Sequence, residues 1–98
     1  MPAKQAQVST PHASRYITRL CKHFAHKVES TWDEQQGITN FPFGRCVMQA
    51  DAAQLALHCT ADDETQLERV CWVVPDHLER FSVAVEQGEA LSVEWQAA

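Results

Sequence analysis

The chain has 98 residues, 45% of them apolar and 21% charged, and a formal net charge of −5. That describes one small folded domain, residues 1–98, and excludes a disordered polymer. The acidic balance excludes the domain-wide basic footprint of a nucleic-acid binder, and no run approaches the roughly 18 apolar residues a membrane span requires.

The residues 6–10, AQVST, read as a short first strand. Thr10 then stands as an N-cap and Pro11 as the first helical residue. Ala13, Ile17, Leu20, Phe24 and Val28 recur every three or four residues, which predicts an amphipathic helix reaching Val28. Residues 28–34, VESTWDE, follow as a strand, with QQG as the turn after it. Pro42 cannot donate to a ladder, so FPFG predicts a kink, bulge or edge. RCVMQA and QLALHCT read as a hairpin around Asp51–Gln54, a register that sets Cys46 opposite Cys59, Met48 opposite Leu57 and Ala50 opposite Leu55.

A second helix begins at Asp62 or Asp63 with the apolar stripe Leu67, Val70, Cys71, Val74, Leu78, Phe81 and Val85, kinked or restarted at Pro75. LSVEWQ alternates as a terminal strand with Leu91, Val93 and Trp95 on one face. The order β-α-β-β-β-α-β predicts an α+β two-layer sandwich, a mostly antiparallel sheet with two helices on one face.

Charge is strongly polarised along the chain. Residues 1–28 hold Lys4, Arg15, Arg19, Lys22 and Lys27 and no acid, whereas residues 29–98 hold three arginines and all 13 acids. The N-terminal residues lack the apolar core of a secretory signal, which predicts a cytoplasmic protein with Cys21, Cys46, Cys59 and Cys71 reduced. Their spacing contains no CxxC.

On a helical projection centred on Leu20, Tyr16, Arg19, His23 and His26 share one flank, while Lys27 falls almost on the buried stripe at the helix end. His77 occupies the equivalent flank of the second helix, with Arg80 nearby. If the flanks face each other, Tyr16, Arg19, His23, Lys27, His77 and Arg80 make a cleft for a small anionic ligand. Glu68, Asp76 and Glu79 offer the cations internal partners instead. A metal site of zinc or iron type would draw on His23, His26, His77 and Cys46. An enzyme would use His23 or His77 as general base, but no nucleophile–base pair, glycine-rich phosphate loop or paired-carboxylate pattern accompanies them. The residues do not identify a cofactor, and the chain is expected to be a monomer or, through an edge near Pro42 or an exposed Trp72, a homodimer.

The blocks RYITRLCKHFAHK, FPFGRC, HLERF and LSVEW, in that order, resemble a bacterial family known as domain of unknown function 2218. The resemblance spans residues 6–95 and carries its pattern onto Arg15, Tyr16, Lys22, His23, His26 and Lys27, onto Phe41, Gly44 and Cys46, and onto His77, Leu78, Arg80 and Phe81. Pro75 departs from that pattern. The resemblance implies a stand-alone bacterial protein without established activity, with a link to iron-handling, siderophore-interacting proteins.

Overall fold

A computed structural model describes residues 2–85 and 93–97, without the side chains of 81–85. Six strands form one sheet in the order β2-β3-β4-β5-β1-β6: β1 (Ala3–Ser9), β2 (Glu29–Trp32), β3 (Gln36–Phe41), β4 (Gly44–Ala50), β5 (Gln54–Thr60) and β6 (Gln96–Ala97). Every pairing is antiparallel. The helices α1 (Ala13–Phe24) and α2 (Glu64–Val85) pack on one face. The α+β class stands as expected, with β3 as an additional strand between the helices.

Alternation in β4 and β5 decides which face is covered. Cys46, Met48, Leu55, Leu57 and Cys59 are buried, while Arg45, Gln49 and His58 are exposed. The register is the expected one, with Cys46 opposite Cys59, Met48 opposite Leu57 and Ala50 opposite Leu55. Its turn carries no Asn-Gly. Instead the Asp51 carboxylate accepts from the amides of Ala53 and Gln54 at 2.7 and 2.8 Å. The Asp33 carboxylate does the same for Gln35 and Gln36 between β2 and β3. That turn lies earlier than QQG, so Gln36 and Gly37 belong to β3 rather than to a turn.

Gly37 is needed for proximity. A Cβ there would stand 2.6 Å from Cys21 Sγ and 2.9 Å from Ile17 Cγ2, so only glycine lets α1 lie this close to β3. FPFG is likewise a tight connection: Phe41 pairs with Gly44, leaving Pro42 and Phe43 as the two-residue turn of the β3–β4 hairpin, away from the sheet edges.

Helix α1 buries Tyr16, Ile17, Leu20, Cys21 and Phe24 and stops at Phe24, four residues before the expected end. The carbonyl of Phe24 accepts from the amides of Lys27 and Val28 at 3.0 and 2.9 Å, turning the chain toward β2. Lys27 is therefore an exposed turn residue and does not face the core. Thr10 is buried and its hydroxyl accepts from the His12 amide at 3.1 Å, but the cap position of the helix is His12, two residues later than the expected Thr10.

Asp63 caps α2, accepting from the Gln66 amide at 2.8 Å. The helix runs through Pro75 without restarting. Proline has no N–H for the carbonyl four residues earlier, which is Cys71. The indole Nε1–H of Trp95 donates to that carbonyl at 3.0 Å. Val93 and Trp95 pack against the core as the alternation predicts, although regular pairing covers only Gln96 and Ala97. Phe81 and Val85 of the expected stripe, and Leu91 of the expected strand, lie outside the described side chains.

Two stability outcomes follow. Gly37→Ala should cost about 1–3 kcal/mol in denaturant unfolding, as overpacking does. A Cys21→Ala background should recover part of that loss, and strict additivity would contradict the close approach. Trp95→Phe keeps most of the apolar volume but orphans the Cys71 carbonyl, and should cost about 1–3 kcal/mol.

Candidate functional site

The early stop of α1 leaves a gap between its C-terminal end, the β3–β4 turn and the middle of α2. The gap encloses about 420 Å3. Phe24, Phe41, Pro42, Phe43 and Val73 line its interior, with His23, His26, Lys27 and His77 among the groups bounding it. An apolar interior with a few convergent polar groups is the usual form of a small-molecule site.

The two histidines that the projection selected do meet. His23 and His77 have ring centroids 4.7 Å apart with 42° between their planes. Phe24 stands edge-on to both, at 5.7 Å from His23 and 5.2 Å from His77. His77 Nδ1 lies 2.7 Å from the Val73 carbonyl. A carbonyl only accepts, so Nδ1 carries the hydrogen, and in the neutral ring Nε2 is left as an acceptor.

Partial burial of the His23 ring holds it below its usual pKa of 6.5, followed by the effects of His77, His26 and Lys27. At neutral pH its imidazole is therefore a dipolar hydrogen-bonding group, with Lys27 supplying fixed positive charge at the rim. An arriving anion would reverse the balance and favour the imidazolium.

The remaining candidates are elsewhere. Tyr16 is fully buried, and no buried side-chain nitrogen or oxygen among the described residues lacks a hydrogen-bond partner, so its hydroxyl belongs to the interior. Arg19 lines a shallow surface hollow with His12, Arg15 and Thr18. Arg80 pairs with Asp76 at 3.2 Å with 70% of its side chain exposed, and does not line the cleft. The cleft thus has a histidine and lysine rim without either arginine. Arg69 sits instead over the Phe43 ring, 5.7 Å from its centroid.

Cys46 is buried beneath the helices on the sheet's inner face, opposite both Thr39 and Cys59. Among the described residues, no group of three or more His, Cys, Asp or Glu is arranged to hold a metal ion. All four cysteines are free thiols. Hydrogen bonding with Cys46 pushes the Cys59 thiol well above its normal range, and hydrogen bonding with Cys59, then burial, does the same to Cys71. Protonated thiols are poor nucleophiles and poor ligands.

Sequence reasoning missed the aromatic wall. Phe41 and Phe43 stack at 5.1 Å with 14° between planes, and Phe24 meets Phe41 edge-on at 5.0 Å and 79°. The available signal was FPF itself, because turns are ordinarily polar and this one is not. A larger hollow of about 640 Å3 on the open face of the sheet is lined by Gln5, Gln7, Gln49, His58 and Gln96. Polar side chains are what the solvated face of an antiparallel sheet carries in any case.

Comparison with known proteins places the chain. A family described as an uncharacterized protein conserved in bacteria, domain of unknown function 2218, matches residues 5–96, and the chain belongs to it. The NMR structure of PA4090 from Pseudomonas aeruginosa is similar, with 32% sequence identity and a TM-score of 0.79 over 98% of this chain and 96% of that one. No curated protein matches. No helix among the described residues is long and apolar enough to cross a membrane.

The imidazole pair has a measurable signature. The ring protons of His23 should titrate with a midpoint below 6.5, and His77→Ala should move that midpoint upward. Because the unfolded chain takes up this proton first, the His23 contribution lowers stability as pH falls from above 6.5 through the folded-state midpoint. A wild-type midpoint at or above 6.5 would contradict the described packing.

Proposed function

We propose that the chain is a non-enzymatic, cytoplasmic bacterial binding or accessory module, and that its ligand is a small anion with a substantial apolar body. The observation that carries this is the union, in one cleft of about 420 Å3, of the apolar Phe24, Phe41, Phe43 and Val73 with His23, His26 and Lys27. A wholly polar anion such as phosphate would leave that interior unused. A neutral hydrocarbon would make no use of the Lys27 ammonium. The four free thiols fit a reducing compartment.

The non-enzymatic part rests on chemistry. The His77 ring, held through Nδ1 by the Val73 carbonyl, borders the cleft where a general base would stand, but Cys59 and Cys71 have their thiol pKa values raised and, among the described residues, no serine, threonine or cysteine lines the cleft for that base to activate.

The test is calorimetry and histidine NMR with two amphipathic carboxylates, octanoate and 2-naphthoate. At least one should bind saturably and shift His23 and His77 while His12 and His58 stay still. Lys27→Gln should weaken that binding about two- to fivefold, the range of an exposed charge contact. Unmoved His23 and His77 with both probes would overturn the proposal.

A further inference from the structure

The walls of the cleft restrict its occupant further, provided the cleft is the binding site proposed above. Six of its bounding side chains are aromatic rings, and five of them touch one another in a continuous chain. Phe43 stacks on Phe41, Phe41 meets the edge of Phe24, Phe24 meets the edge of His77, and His77 lies against His23. The Arg69 guanidinium lies over the Phe43 ring, adding a further contact to the chain. Pro42, between Phe41 and Phe43, has a fixed φ that limits how far the turn can adapt.

A site for a flexible alkyl chain is best built from adaptable aliphatic side chains, methionine above all. Here the aliphatic share is Val28 and Val73, and Met48 does not line the cleft. Ring faces carry negative charge density and ring edges positive, so a wall that presents both is electrically complementary to another ring, which can stack or stand edge-on. The volume of about 420 Å3 accommodates one or two rings with a substituent. The cationic side chain on the cleft is Lys27, exposed beside His26 in the turn after α1.

We propose that the cleft binds a planar aromatic carboxylate, its ring against Phe24, Phe41 and Phe43 and its carboxylate toward the His26–Lys27 turn.

The experiment titrates 2-naphthoate, octanoate and 2-naphthol onto isotopically labelled full-length protein. Naphthoate should shift the ring signals of Phe41, Phe43, His23 and His77 through its ring current and give intermolecular NOEs to the phenylalanine rings of the unmodified protein. It should bind at least fivefold more tightly than octanoate and than naphthol. Phe43→Leu, checked for retained spectral dispersion, should lose most of the preference over octanoate. Octanoate binding as tightly as naphthoate would overturn the aromatic class and leave the broader anion reading intact. Naphthol binding as tightly would overturn the carboxylate. If neither acid binds, this inference and the proposed function fall together.

Discussion

A sheet with one apolar face and one wet face must have the apolar face covered, and everything else in this molecule follows from how that is done. Strands β4 and β5 turn Met48, Leu55 and Leu57 inward, and Ile17, Leu20, Val70, Val74 and Leu78 from the helices bury them. Burying each such side chain contributes about 1.5–3 kcal/mol, so coverage dominates the local preferences of turns and caps. It also explains Gly37, which removes a side chain so that α1 can lie close. Where α1 ends at Phe24 the cover runs out, and the cleft is the space that remains. A ligand there would complete the covering that the helices began.

Much of this was readable from the residues, in proportion to how local the controlling physics is. Periods of two and of three to four are set within one element, and they identified β4, β5, both helices and the register that joins Cys46 to Cys59. The turn between β2 and β3 was harder, because Asp33 closes it by accepting two backbone amides and the glycine of QQG belongs to β3, whereas Asp51 closes the expected β4–β5 turn by the same means. In the site, the same projection that united His23 with His77 also offered Tyr16, Arg19 and Arg80. A projection gives angle about one helix axis and carries no information on depth or on the partner helix. Tyr16 lies too deep, and the arginines lie outside the cleft. The aromatic wall depends on a hairpin folding over a helix end, a contact between residues distant in sequence that no single window contains.

Pro75 joins several of these features. It is buried within α2, and the missing amide would leave the Cys71 carbonyl unpaired had Trp95 not reached it. Two residues after the accepting Cys71, the carbonyl of Val73 receives a hydrogen bond from the His77 ring as well. The irregular stretch of the helix is therefore where two side chains attach, one anchoring the C-terminal residues and the other fixing the tautomer of a cleft histidine.

The position of β1 has a consequence for how the molecule comes into being. This strand lies between β5 and β6, and it pairs with Gln54–Thr60 along its whole length. During synthesis it emerges well before β5, the partner along its whole length, and waits seconds for it at about 5–20 residues per second. The three hairpin-linked strands β3, β4 and β5 can assemble beforehand from near neighbours in sequence. The residues of β1 are thus secured later than strands made after them. In that interval β1 is a strand whose ladder partner does not yet exist, joined to the assembling sheet only through the chain that follows it.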